Sequence, residues 1–171
     1  MGTHAQGPDP LAAAVGAVAE GVTFYDLAHV AAADVRVKIA FEDLGVRKRT
    51  QLEKLEALAG SEARSAAPAP GFYPIADVSR LECYVCGHIL ETQAHPTQCP
   101  KCGAAGYAFE KEITLAKAWE MAGSAVRKSA QLFRDLAAKS KGDGKALLEA
   151  LAAEEDRLAG EADAAHAELM T

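Results

Sequence analysis

The chain has 171 residues, of which 50% are apolar and only 6% aromatic, and alanine supplies much of the apolar fraction. This composition favours closely packed helices, and the length suits one domain or one domain with a small inserted module. The formal net charge of -6 is spread along the chain without a basic cluster, which argues against nucleic acid and an anionic membrane as partners.

The N-terminal segment, MGTHAQGPDP, lacks a charged region followed by an apolar one, and no uninterrupted apolar run reaches about 18 residues. We therefore expect no membrane association and a cytoplasmic location. In that compartment thiols stay reduced, so paired cysteines indicate a metal site more often than disulfides.

Two helices are predicted in the first third of the chain. Asp9 followed by Pro10 is a helix-start signal, because aspartate accepts hydrogen bonds from free N–H groups and proline already has a helical φ. A first helix should cover residues 10–32. Asp34 can cap a second helix, which we expect to end at Gly60 because glycine tolerates the backbone conformation of a helix terminus.

The next segment, SEARSAAPAPGFYP, is rich in small residues and proline and predicts a linker. Beyond the cysteines, EITLAKAWEMAGSAVRKSAQLFRDLAAKS predicts a third helix, KGDG a turn, and KALLEALAAEEDRLAGEADAAHAEL a fourth helix. Four such helices predict a four-helix bundle. FYDLA in the first helix is similar to LFRDLA in the third, which indicates two helical hairpins related by a pseudo-twofold axis.

All four cysteines lie in two CxxC pairs, CYVCG and CPKCG. Each pair places two thiols on a tight turn, and the glycine lets backbone N–H groups point at sulfur. Four sulfurs at about 2.3 Å form a tetrahedral site that accepts Zn²⁺ or a single iron. We predict one metal ion, iron or zinc, bound by Cys83, Cys86, Cys99 and Cys102.

These two motifs, with Phe109 closing the module, resemble the rubredoxin-like domain of rubrerythrins, and LFRDLAAKSKGDGKALLEALAAEEDRL resembles a helical hairpin of their ferritin-like domain. The resemblance covers nearly the whole chain and implies a mainly α protein, namely a ferritin-like four-helix bundle with a rubredoxin-like β module. In the usual rubrerythrin the module follows the helices, whereas here it is inserted between the second and third. The expected segments are a first hairpin (10–60), a linker (61–76), the four-cysteine module (77–111) and a second hairpin (112–170). The resemblance also implies a homodimer and a redox partner protein.

Rubrerythrins hold two irons in the bundle and reduce hydrogen peroxide with electrons from the rubredoxin-like iron. Their ligands are a glutamate on the first and third helices and Glu-x-x-His on the second and fourth, since residues i and i+3 share one helix face. The matching positions here are Ala17 or Val18, Lys48, Gln51, Val126, Glu155 and Leu158. At most one of six ligands is retained, and a lysine adds a repelling charge, so no di-iron centre and no catalytic residue are expected.

Lys48 and Glu155 stand where two glutamates of the family both bridge the metals and so lie close together. We therefore predict that the ammonium and the carboxylate form an ion pair in place of the metals; the alternative is that both side chains extend into solvent. Gln51 can form a hydrogen bond nearby, and Leu158 and Val126 can close the remaining space.

Five further polar residues have two interpretations each. Glu20 lies one turn from a lost ligand position; we expect an exposed helix charge, the alternative being a displaced metal ligand. His29 and His166 each follow an aspartate by three residues in the last turn of a helix, where histidine suits the helix dipole; the alternative is a displaced metal site at one end of the bundle. We expect His88 and His95 at the surface, because four cysteines already fill a tetrahedral site; the alternative is that they are metal ligands.

Two functional hypotheses follow from the metal. With iron, the module transfers single electrons and the protein is not itself an enzyme. With zinc, which has no redox chemistry, the protein is a structural or interaction scaffold. An active rubrerythrin-type peroxide-reducing oxidoreductase is a third hypothesis, for which analogy of fold alone is a weak warrant.

Overall fold

A computed structural model describes residues 9–92, 96–109 and 113–171. Over this part the chain is mainly helical, as predicted, with one small two-stranded sheet. The helices are α1 (Pro10–Ala31), α2 (Val35–Ala59), α3 (Ala63–Ala66), α4 (Ile75–Ser79), α5 (Leu115–Ala138) and α6 (Gly142–Leu169). The strands are β1 (Arg80–Glu82) and β2 (Ile89–Glu91), and a 3-10 helix covers Gly106–Phe109.

The first two long helices begin at the predicted capping residues, and the second ends at the predicted glycine. The Asp9 carboxylate accepts a hydrogen bond from the Ala12 amide at 3.3 Å, which caps α1. The Asp34 carboxylate accepts one from the Arg36 amide at 2.8 Å, which caps α2. Gly60 ends α2 with a φ of 88°, a conformation that side chains with a Cβ rarely adopt.

The predicted KGDG turn is wrong over its last three residues, which form the first turn of α6. The chain leaves α5 at Ala138 and begins α6 at Gly142, so three residues make the reversal. Gly142 has a φ of 57°, an angle that glycine adopts easily. This lets the chain complete its reversal at residue 142, so that α6 begins there and not after Gly144.

The four long helices pack as two hairpins, α1 with α2 and α5 with α6. Their buried side chains form two apolar clusters, each of which contains residues from all four helices. Phe24 and Phe41 dominate the first cluster, and Leu55 and Phe133 lie in the second. The hairpins therefore share one interior, and burial of this apolar surface is the main force that holds them together.

Helix α1 is the one helix of the described residues that is long and apolar enough, by length and composition, to cross a membrane. Most of its apolar stretch is buried inside the protein, and Glu20 interrupts that stretch. Helices in the core of globular proteins meet the same criterion, and the burial of α1 favours that explanation.

The segment predicted as a linker contains α3 and then packs against α1. We call residues 67–74 the strap. Its Tyr73 is only 5% exposed, and the ring packs against those of Phe24 and Tyr25, with centroids 5.3 and 5.6 Å away. The strap therefore contributes to the core instead of acting as a free tether.

Replacing Gly21 by alanine should destabilise the protein, because Tyr73 crosses α1 at this residue. A Cβ added at Gly21 would lie 2.8 Å from the Tyr73 hydroxyl oxygen and 2.9 Å from its Cζ. We expect displacement of this buried ring to cost about 1–3 kcal/mol, against a gain of about 1 kcal/mol in helix propensity. Gly160→Ala is the matched control in α6, since no atom lies within 4 Å of its Cβ position and only the propensity gain applies. Urea denaturation of both variants measures the difference; equal stability would contradict this packing.

The cysteine-containing part is built on strands β1 and β2, which pair antiparallel with Leu81 opposite Leu90. Its buried residues form a third cluster together with Ala31 at the end of α1. The members from this part of the chain are Leu81, Cys83, Cys99, Ala108 and Phe109. The cysteines therefore lie against the C-terminal end of α1.

Candidate metal centre

The four predicted cysteines come together in one cluster. Their sulfur atoms all lie within 4.8 Å of one another, with 3.8 Å between Cys83 and Cys102 and 3.7 Å between Cys86 and Cys99. A tetrahedron with metal–sulfur bonds of about 2.3 Å has sulfur–sulfur edges of about 3.8 Å. The spacing therefore fits a single tetrahedral metal ion, and a donor set of four cysteines suits either zinc or iron.

Each CxxC pair is held in a tight turn that ends at a glycine. The Gly87 amide donates to the Cys83 carbonyl at 2.8 Å, and the Gly103 amide donates to the Cys99 carbonyl at 2.9 Å. These glycines have φ angles of 71° and 74°, which a residue with a Cβ adopts only at a cost. The two halves of the site therefore have the same local construction.

Burial differs between the first and second cysteine of each pair. Cys83 and Cys99 are each 1% exposed, whereas Cys86 is half-buried and Cys102 is exposed. One side of the sulfur cluster thus belongs to the protein interior and the other side faces outward. A metal bound here would have protein ligands at all four coordination positions and would still lie close to the surface.

The pKa values of two of the thiols, Cys99 and Cys102, are shifted in opposite directions. Burial raises the pKa of the Cys99 thiol, but hydrogen bonds from the amides of Cys102 and Lys101 lower it, to about 7. The Ala104 amide lowers the pKa of Cys102, while burial and the neighbouring thiols raise it, to about 12. The Cys102 thiol thus retains its proton near neutral pH, and metal binding at this sulfur must release it.

The histidines nearest the cysteines lie outside the sulfur cluster or outside the described residues. His88 is half-buried, and its main-chain carbonyl accepts a hydrogen bond from the Cys83 amide at 2.9 Å. Its contribution to the site is therefore made through the backbone. His95 lies in the segment 93–95, outside the described residues.

The two histidines that follow aspartates have other contacts. The Nδ1 atom of His29 lies 3.0 Å from the Lys38 carbonyl oxygen, which can only accept, so this nitrogen donates a hydrogen bond to it. His166 is half-buried in the last turn of α6, and the aspartates that precede both histidines form ion pairs with arginines. Within the described ranges, the four cysteines are the one group of three or more His, Cys, Asp or Glu residues placed to hold a metal.

The positions that the resemblance in sequence matched to di-iron ligands are all buried in the shared interior of the helices. None is more than 3% exposed: Ala17, Val18, Lys48, Gln51, Val126, Glu155 and Leu158. Lysine and glutamate are almost never fully buried unless they are paired. The polar members of this group therefore require partners.

Lys48 and Glu155 form the predicted ion pair. The Lys48 Nζ lies 2.7 and 2.6 Å from the two carboxylate oxygens of Glu155 and donates a third hydrogen bond to Gln51 Oε1 at 3.1 Å. The Gln51 amide in turn donates to Glu155 Oε1 at 2.7 Å. All three ammonium protons are thus used, which is what a buried charge needs. The prediction of the pair, including the role of Gln51, is confirmed.

The expectation that Glu20 is an exposed charge is wrong. Its side chain is buried at 5% exposure, and its carboxylate accepts hydrogen bonds from the amides of Gly71, Phe72 and Tyr73 at 3.1, 3.2 and 3.5 Å. These backbone donors of the strap replace water around the carboxylate. Glu20 is therefore a residue that anchors the strap to α1.

Two glycines on either side of Glu20 indicate in the sequence that another segment packs closely against this part of α1. A Cβ on Gly16 would lie 2.9 Å from the Pro68 carbonyl oxygen, and Gly21 makes the corresponding room for Tyr73. Isolated glycines inside a helix often mark a close approach of another segment. They do not identify which segment approaches.

Comparison of the chain with protein-family models, with curated proteins and with solved structures gave no match. The geometry itself defines a mainly helical protein with a small two-stranded sheet and one four-cysteine candidate metal site.

Proposed function

We propose that this chain is a rubrerythrin-like metalloprotein that carries one iron in its four-cysteine site, transfers single electrons to or from a partner protein, and lacks a working di-iron centre. The observation that carries the proposal is the four-sulfur cluster, whose edges fit one tetrahedral ion and whose Cys102 side faces outward. Iron bound there supplies one-electron chemistry, and the chain's own amides and solvent exposure set its potential.

The rubrerythrin-like part of the proposal draws support from the interior of the helices. Seven positions on four separate helices were matched to the metal ligands of rubrerythrins by their spacing in the sequence. All seven are buried, which is expected if this alignment is correct. The ion pair of Lys48 with Glu155 then occupies the place of the metal pair. On this proposal the bundle is a ferritin-like scaffold with its cofactor replaced by fixed charges, and the chain forms a homodimer like its family.

A zinc-bound scaffold is the second candidate, and one observation favours it. Cys83 and Cys99 belong to the same buried cluster as Ala31 of α1, so a metal that fixes these sulfurs also fixes the module against the helices. Zinc is sufficient for this structural role because it needs no redox chemistry.

Metal analysis of the protein purified anaerobically from its native host separates the two candidates. One iron per chain, with the red colour of an oxidised iron–tetrathiolate, is expected for electron transfer. One zinc per chain and a colourless protein would support the scaffold and reject the iron proposal. Native purification matters because heterologous expression can load zinc into a site made for iron.

The iron-loaded protein should not turn over hydrogen peroxide. An iron with four sulfur ligands offers peroxide no open coordination position, and the interior of the helices holds an ion pair where a second metal site would be. Steady-state peroxide consumption with a supplied reductant is the assay, with metal-free protein as the control. Iron-dependent turnover at about 1 per second or faster, which is typical of enzymes, would restore the peroxidase hypothesis.

A further inference from the structure

The sulfur cluster is accessible to small dissolved molecules on one side only. Cys102 is exposed and Cys86 is half-buried. Cys83 and Cys99, by contrast, are each 1% exposed. Each CxxC pair therefore contributes one sulfur that a dissolved oxidant can contact and one that it cannot. Because the oxidation of a cysteine depends on its exposure as well as on its thiolate character, Cys102 and Cys86 are the expected points of attack.

Each accessible sulfur is in contact with a buried sulfur of the other CxxC pair. Cys102 lies 3.8 Å from Cys83, and both sulfurs are oriented for a hydrogen bond. Cys86 lies 3.7 Å from Cys99 in the same kind of contact.

The contact of Cys83 decides which sulfurs can pair. The Cys102 thiol also lies beside those of Cys86 and Cys99. Pairing Cys102 with either of these would leave Cys83 without the one sulfur that it contacts in hydrogen-bonding geometry among the described residues. When Cys83 pairs with Cys102, Cys86 and Cys99 remain, and these two are in contact with each other. Contacts between the two CxxC pairs therefore provide every cysteine with a partner.

We propose that the four cysteines are an oxidation site at which a hydroperoxide forms two disulfides between the CxxC pairs, in place of the bound metal. One disulfide joins Cys83 to Cys102, and the other joins Cys86 to Cys99. The inference rests on the proposed function only in requiring a metal at these sulfurs, and it applies to zinc and to iron alike. It makes metal binding by the module dependent on the surrounding redox conditions.

The reaction at each contact consumes one peroxide. The Cys102 sulfur attacks a peroxide oxygen, so that an S–O bond forms, the O–O bond breaks and one water leaves; the product is a sulfenic acid. The Cys83 sulfur then attacks the sulfenic sulfur, which forms the S–S bond, breaks the S–O bond and releases a second water. Two sulfurs lose two electrons and the peroxide gains them. If both sulfurs start as thiolates, two protons from the solvent complete the waters. Cys86 and Cys99 react in the same way.

The disulfides change what holds the module together. A disulfide sulfur is no longer a thiolate and does not serve as a ligand for zinc or iron, so the metal leaves. The two new bonds connect residues that are 19 and 13 positions apart, and each joins one CxxC pair to the other. The oxidised module should therefore keep its two halves together without a metal, and proteases should cleave it more slowly than the reduced, metal-free module.

Zinc release from the full-length, zinc-loaded protein tests the exchange of metal for disulfides. Two equivalents of hydrogen peroxide should release one zinc per chain to a chromogenic chelator and remove all four thiols. A dithiol reductant should then restore the thiols and zinc binding. Zinc that stays bound, or that leaves while the thiols become acids that the dithiol does not reduce, would overturn the proposal. Because zinc is loaded deliberately, the result is independent of whether the native metal is iron, so either proposal can fail alone.

The sequence allows every disulfide to be identified by peptide mass spectrometry. Chymotrypsin cleaves after Tyr84, an acid-specific protease after Glu91 and trypsin after Lys101. Together these three cuts place each of the four cysteines on a separate peptide. Each possible disulfide therefore joins a different pair of peptides.

The disulfide map of the folded protein should show Cys83 linked to Cys102 and Cys86 linked to Cys99. The matched control is the same oxidation of the metal-free chain unfolded in urea. There the cysteines within each CxxC pair should join, because closing a short loop costs the least entropy. If the folded protein gave the disulfides of the unfolded chain, or any other set, the proposed pairing would be wrong.

Discussion

Replacing Lys48 by methionine should lower the free energy of unfolding by about 3–5 kcal/mol, the cost of breaking a buried ion pair by removing one partner. The substitution leaves Glu155, which is 0% exposed, as a buried carboxylate with a single hydrogen bond from Gln51. Glu155→Leu should cost a similar amount, because it leaves the Lys48 ammonium with Gln51 as its remaining partner.

Removing both charges should restore most of the lost stability. Buried ion pairs replaced by apolar residues of similar volume are often neutral or stabilising, because the desolvation cost of both charges disappears. Recovery in Lys48→Met/Glu155→Leu should remain incomplete by about 1–3 kcal/mol, since the Gln51 amide then loses both of its partners. Adding Gln51→Met should recover this remainder.

Urea denaturation of the single, double and triple variants measures these energies as a mutant cycle. Arg134→Met is the control, because its ion pair with Asp156 is exposed at 47% and 56%. An exposed pair contributes at most about 1 kcal/mol. If Lys48→Met were no less stable than Arg134→Met, the ion pair could not be what stabilises the centre of the helices.

Substituting Cys102 by serine should remove essentially all bound metal. A serine hydroxyl does not supply the thiolate that zinc and iron require, and three sulfurs leave the tetrahedral site open. Because binding of a structural zinc by such sites releases about 10–16 kcal/mol, we expect the cysteine module to lose its fold with the metal. The apolar clusters shared by the long helices contain no cysteine, so the helices should remain folded.

Metal content per chain and limited proteolysis measure the two parts of this prediction. Cleavage should concentrate between residues 77 and 111, with the helical circular dichroism largely retained. His88→Ala is the control, because this residue contacts the site through its backbone and should keep one metal per chain. Two or more tightly bound irons in the Cys102→Ser variant would show that the helices hold metal, contrary to the proposal.

The sequence by itself determined the features that depend on local spacing. The capping residues Asp9 and Asp34 fixed where two helices begin, and the two CxxC pairs predicted a four-sulfur cluster. Residue spacing along the helices, together with the family resemblance, was enough to predict that Lys48 and Glu155 are in contact, although 107 positions separate them. A regular helix presents every third or fourth residue on one face, so a correct register on two helices fixes which side chains meet.

The tertiary structure alone decided the features that depend on how the segments without regular secondary structure pack against the helices. Glu20 has the spacing of an exposed helix charge, and only the path of the strap reveals the amides of Gly71 and Phe72 as its partners. The proline-rich sequence of the strap predicts the absence of a long helix, but it contains no periodic pattern that specifies where the segment lies. Tyr73 enters the core because Gly21 leaves room for it, and such a fit between distant surfaces exists only once the chain has folded.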